Sequence, residues 1–231
     1  MVYNQNWNCF RFEMWRLPPR SARIGSEVLF WPYYCDVNIY CYNKPMAKAG
    51  YEYLLAYKIT VPIYDYTVEF CKRWISSFSR TTDQMIQAAR SGMTNLAEGY
   101  SQQSLAGYIK LTGVNKASQE ELLKDYQSYA RQNGIEIWDK DRVEREVREL
   151  REIWEIIKRP TLPNSPHFPH LPDNPAQAVN LMITLVNQAT YLQGKLIRAL
   201  EEKHTREGGY SEKLLKKRLE YRNVISKILK D

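Results

Sequence analysis

The sequence predicts an all-α protein, an antiparallel up-down four-helix bundle. Three observations carry that expectation. Beyond residue 46 the apolar residues recur at three- and four-residue spacings over long stretches, and no alternating strand pattern breaks them. The breakers between those stretches are short, which places successive helices side by side in opposite directions. The composition is that of a water-exposed globular chain: 231 residues, 44% hydrophobic, 26% charged, with a mean hydropathy of −0.56.

Residues 1–45 stand apart. They hold 11 of the 29 aromatic residues, together with Pro18, Pro19, Pro32 and Pro45, and show no helical period. Met46 then opens MAKAGYEYLL, an ordinary-looking start. The expectation is that 1–45 is an aromatic-rich extension, upstream of the natural start. A bundle follows over 46–207 with an insertion at 136–175, and a basic helix over 208–231.

The first helix is expected over 51–78, inward through Leu54, Leu55, Val61, Tyr64, Val68, Cys71, Trp74, Ile75 and Phe78, with a kink or break at Pro62. The second, 82–100, turns Ile86, Ala89, Met93, Leu96, Ala97 and Tyr100 inward, and Gly99 is read as its stop. The third starts at Ser101 or Ser104 and ends at Gly134. Its arc of Leu105, Tyr108, Leu111, Leu122, Leu123, Tyr126 and Tyr129 is interrupted by Thr112, Asn115 and Gln119. Such a polar layer reads as a hydrogen-bonded core layer or a subunit contact that fixes register.

A charged helix, 141–158, is expected to pack on one narrow stripe, with Glu144–Arg148 and Glu155–Arg159 as helix-surface pairs. Pro160, Pro163, Pro166, Pro169, Pro172 and Pro175 then recur at every third residue, the period of polyproline II, and predict a stiff linker. His167, His170 and Asp173 share another edge of it, short of a full metal-ligand set. A fifth helix, 176–203, carries apolar residues on two sides and is expected to lie centrally. After Gly208-Gly209 a basic amphipathic helix closes the chain.

Charge is unevenly placed. The net charge is +7, yet 46–159 balances 17 basic against 16 acidic residues, while 176–231 holds 11 basic against 6 acidic. The candidate contacts for nucleic acid are therefore Lys213, Lys216, Lys217, Arg218, Arg222, Lys227 and Lys230, with Tyr210 and Tyr221 placed to stack on unpaired bases. The alternative is a helix docked by its apolar side on its own bundle.

Catalytic patterns are scarce. Glu120/Glu121 and Glu201/Glu202 are adjacent, so each pair points to different helix faces. No Walker or G-x-S-x-G spacing occurs. The sequence thus predicts no enzyme, no metal, no cofactor and no small-molecule substrate. Cys9, Cys35, Cys41 and Cys71 form no C-x-x-C and read as reduced thiols, with Cys35–Cys41 as the one pairing considered. The N-terminus lacks a signal-peptide pattern, and the most apolar stretch, 179–200, is interrupted by polar residues. The expected location is the cytoplasm, without a membrane span.

The segment RTTDQMIQAARSGMTNLAEGYSQQSLAGYIKLTGVNKASQEELLKD resembles the bacterial four-helix-bundle family of 23S rRNA intervening-sequence proteins. Gln84, Ala88, Ala89, Arg90, Asn95, Ala97, Glu98, Gly99, Tyr108, Ala117, Ser118, Glu121 and Leu122 carry the likeness. The family's usual proline is replaced by Ser91-Gly92-Met93. GIEIWDKD and VNQATYLQGKLIRALEE are similar to a longer subgroup with a four-helix-bundle suffix domain, so the likeness spans about 48–210. It implies a non-enzymatic cytoplasmic bundle, often a homopentamer. Some members are encoded within interrupted 23S rRNA genes. A related barrel, the accessory variability determinant of diversity-generating retroelements, binds nucleic acid and a reverse transcriptase. Gln84, Ala88, Ser91, Asn95, Glu98, Asn115 and Ser118 are then the motif residues expected in the core or at a subunit contact.

Overall fold

The computed structural model describes residues 48–228, with side chains to residue 225. The expectations for 1–45 lie outside the described residues. Among the described residues every regular element is helical: a 3-10 turn Gly50–Tyr53, then α1 Leu55–Lys58, α2 Thr60–Trp74, α3 Arg80–Tyr100, α4 Leu105–Gln132, α5 Lys140–Glu146, α6 Arg148–Ile157, α7 Pro175–Glu207 and α8 Tyr210–Ile228.

The first expected helix is divided. The break falls at Ile59, one turn before Pro62, so the proline occupies the first turn of α2, where its missing N–H costs no helical bond. The inward stripe also differs from the expected one. Cys71 is buried as expected, but the rest of the buried row is Ile59, Ile63, Tyr66 and Phe70, and Leu55 is exposed. Ile75 is already extended, and Phe78 stands 98% exposed outside any helix. Ser79 caps α3 by accepting from Thr81 N.

In α3 the buried residues are Met85, Ala88, Ala89, Gly92, Leu96 and Gly99. Gly99 does not stop the helix. A Cβ there would sit 2.8 Å from the Tyr108 ring and 3.3 Å from Leu111 Cβ, so the glycine serves close approach of α3 to α4. Ser104 accepts from Gly107 N and caps α4. At the other end Gly134 adopts φ 64°, and Ile135 N donates to Ala130 O at 2.8 Å, closing a Schellman-type end.

Antiparallel neighbours run in sequence. Gly99 meets Tyr108 near the α3–α4 turn, and Gly92 meets Gln119 further along. Lys116 lies opposite Gly194, and Leu200 and Lys203 lie beside Leu105 and Tyr108, which sets α7 against α4 in the opposite sense. α2 packs on both α3 and α7. Across the centre the Phe70 ring meets Tyr126 and Tyr129 edge-on, each at 5.0 Å, and Tyr126 Oη donates to Thr67 Oγ1 at 3.0 Å.

The insertion is part of the same core. The single charged helix expected at 141–158 is two, because Val147 is extended with φ −118° and ψ 90°. That break carries Arg148 off the face of Glu144, and the pairs formed are Lys140–Glu144 and Arg148–Glu152. Val143, Val147, Leu150, Ile153 and Ile157 are buried. Trp154 Nε1 donates to Gln188 Oε1 on α7 at 2.9 Å. Asn180 holds the segment ahead of α5 by accepting from Trp138 N and donating to Glu136 O.

The proline-rich stretch is a packed strap instead of a free strut. Bends at 159–161 and 164–165 interrupt it, and Leu162, Leu171 and Pro172 are buried. The leucines between the prolines supply apolar surface that the proline period alone does not register. Tyr66 Oη donates to Pro169 O, and Arg73 reaches Leu171 O and Asp173. Pro175 begins α7 behind its cap Asn174. As expected, α7 buries two faces, through Val179, Leu181, Met182, Ile183, Leu185, Val186 and Ala189.

Candidate functional site

The sequence singles out two groups of residues, and the structure places them on different parts of the molecule. The basic group lies on α8. Gly208, at φ 73°, ends α7, and Gly209 N donates to Glu212 Oε2 at the start of α8. From Tyr210 to Ile225 every residue is exposed. Tyr210, Leu214, Leu215, Leu219, Tyr221, Val224 and Ile225 are among the exposed large apolar residues. The helix is therefore not docked on its own body, which corrects the alternative considered for it.

Lys213 pairs with Glu207 at 3.1 Å, and the Lys213 ammonium holds the Glu207 carboxyl below the usual carboxylate range. Lys216, Lys217, Arg218 and Arg222 are exposed and enter no described ion pair. The side chain of Lys227, and Lys230 altogether, lie outside the described residues. A helix with cations on several sides, held off the protein body, presents its charge to water and to polyanions alike.

The motif group lies between α3 and α4. Gln84, Ala88, Ser91 and Ser118 line one groove of about 630 Å³, together with Arg80, Asp83, Gln87, Glu121 and Asp125. Small side chains form its floor and acidic ones its rim. Burial pushes the Asp125 carboxyl above the ordinary range, and the neighbouring Glu121 adds to the shift. Asn95 is half-buried and Glu98 exposed further along α3, outside this lining. Asn115 is fully buried and donates through Nδ2 to Gly92 O.

The polar layer is real and internal. Thr112, Asn115, Gln119 and Gln193 are each 0% exposed. Thr112 Oγ1 donates to Tyr108 O at 2.8 Å. The Gln119 and Gln193 amides have no hydrogen-bond partner within the described protein. Gln193 was absent from the sequence reading of this layer, although its place among the apolar residues of 179–200 was the available signal.

Sequence reasoning also missed the acidic rim. The signal was there: Glu121 and Asp125 lie four apart on one helix face, like charges that a solvated helix avoids. Among the described residues no group of three or more His, Cys, Asp or Glu side chains is placed to hold a metal ion, and no helix is long and apolar enough to cross a membrane. Burial pushes the Cys71 thiol up to about 11, with Asp125 adding to it, so Cys71 is a protonated core residue at neutral pH. No protein family, curated protein or solved structure matches the chain.

Proposed function

We propose that the chain is a non-enzymatic, cytoplasmic, self-associating protein of the 23S rRNA intervening-sequence type that binds RNA through α8. The architecture proposed is an up-down four-helix bundle of α2, α3, α4 and α7, with α5, α6 and the strap as its insertion. The antiparallel neighbour order of those helices supports it. The observation that carries the RNA reading is α8 itself: Lys216, Lys217, Arg218 and Arg222 are all exposed on a helix that also exposes Tyr210 and Tyr221. Cations release counterions from phosphates, and tyrosine rings stack on unpaired bases without demanding one sequence. Repetition of α8 around a homopentamer would multiply that field.

The test is fluorescence anisotropy of a structured rRNA fragment against the full chain and against residues 1–207, each titrated with salt. The expected result is binding by the full chain that weakens with a log–log salt slope of roughly −3 to −4 for four engaged cations. Residues 1–207 are expected to lose most of it. Equal affinity of the two forms, or no binding at low salt, overturns the reading. A second reading, a protein scaffold with no nucleic-acid role, is favoured by the exposed apolar residues of α8. Partners that survive nuclease treatment would select it.

A further inference from the structure

We propose that the groove between α7 and the segment ahead of α5 holds one unpaired nucleobase of RNA. Thr184, Asn187, Gln188 and Tyr191 fall at helical spacings of three and four and line the groove from α7, while Ile137 and Trp138 line it from the neighbouring segment. Its volume is about 380 Å³. Small-molecule sites of roughly 300–1,000 Å³ are built in this manner, with apolar and aromatic walls and a few fixed polar groups. Tyr191 is 59% and Ile137 48% exposed, so two large apolar side chains stand in water beside the half-buried Trp138 ring.

The polar groups define the edge that a ligand must carry. Asn187 Nδ2 donates to Ile183 O at 2.9 Å, which leaves its Oδ1 as an acceptor. Gln188 Oε1 accepts from Trp154 Nε1 at 2.9 Å, which leaves its Nε2 as a donor. An indole N–H only donates and a backbone carbonyl only accepts, so neither amide can be turned over. One acceptor and one donor on consecutive residues match a base, whose pairing edge sets a donor beside an acceptor. The Tyr191 ring supplies a face for stacking.

Charge selects against a cationic ring. Lys195 Nζ lies 4.9 Å from the centroid of the Tyr191 ring, and Lys124 Nζ donates at 3.2 Å to Oε1 of Gln127, which also lines the groove. Neither lysine enters a described ion pair, whereas Lys140 and Arg142 are held by Glu144 and Glu136. Two uncompensated ammonium groups repel a cation and suit the phosphates that flank a base. The inference rests on the RNA reading for the strand that carries the base, and it adds a site apart from α8. The remaining turns of α7 put about 24 Å of straight helix between Tyr191 and Glu207.

A short oligouridine carrying one 4-thiouridine tests it on the full chain. After irradiation at low salt, mass spectrometry is expected to find crosslinks within 137–138 and 187–191. In anisotropy with the same RNA, Tyr191→Ala is expected to weaken binding roughly five-fold or more, the loss of one stacked base, with the salt slope unchanged. Tyr191→Phe keeps the ring and is expected to keep the affinity. Tyr191 is exposed, and unchanged circular dichroism verifies that both variants fold. Reversal on α8, Lys216→Glu/Lys217→Glu/Arg218→Glu/Arg222→Glu, is expected to weaken binding while the crosslinks formed at saturating protein stay in the groove. Crosslinks confined to α8, or full affinity in Tyr191→Ala, overturn the inference and leave the α8 reading standing. Groove crosslinks with an affinity unmoved by the α8 reversal overturn the α8 reading alone. No binding at low salt overturns both.

Discussion

Gly92 shows how tightly one residue can set a helix pair. A Cβ there would come within 1.9 Å of Gln119 Nε2, at the end of a fully buried side chain that would have to shift. Gly92→Ala is expected to cost about 1–3 kcal/mol, the usual range for an overpacked core. Shortening the opposing side chain in the double variant with Gln119→Ala should recover part of that, which urea unfolding of the four members of the cycle measures. Asp125 gives a pH signature. Its raised folded-state pKa means the folded chain holds the proton more tightly than the unfolded chain. The stability it contributes is full below the ordinary value of 3.8 and is lost as pH rises through the raised value. Asp125→Asn should therefore be neutral near pH 3 and stabilising at pH 7, as thermal melts at the two pH values would reveal.

The elements divide into those the sequence made legible and those it did not. α3, α4 and α7 follow from long periods and good caps, and their expected and observed bounds differ by a few residues. α2 was harder, because Ile59, Ile63, Tyr66 and Phe70 compete with a second apolar row through Val61, Tyr64 and Val68, and only packing chooses between them. The break at the buried Val147 carries no proline or glycine to mark it in the sequence. The strap was the largest departure, since its fixing points are distant in sequence. Lys58 is the chief of these. It is 3% exposed, and its Nζ donates to Arg159 O at 2.6 Å and to Pro160 O at 3.4 Å, just beyond the end of α6. Burial pulls that ammonium below the usual lysine range. Lys58→Met is expected to remove a charged hydrogen-bond set worth about 1.5–3 kcal/mol. The strap should then be cleaved several-fold faster between 159 and 166 in limited proteolysis, with the α3–α4 pair still protected.

For the whole molecule, the candidate site was half legible. The cations of α8 could be read directly as a charge excess, and so could the small residues of α3. That α8 would stand clear of its own body could not, because an amphipathic pattern states that a face is to be covered and not by what. The order of the core has a further consequence, for synthesis. α2, α3 and α4 leave the ribosome first, but the residues that cover their inner faces, 178–189, belong to α7. They follow the end of α4 by roughly 50 residues, about 3–10 s at ordinary elongation rates of 5–20 residues per second. During that interval Ile63, Phe70, Leu122 and Tyr126 face the cell unroofed. A nascent chain of this protein is thus a natural client for whatever shields apolar surface at the tunnel exit, and slow codons between 132 and 178 would lengthen its exposure.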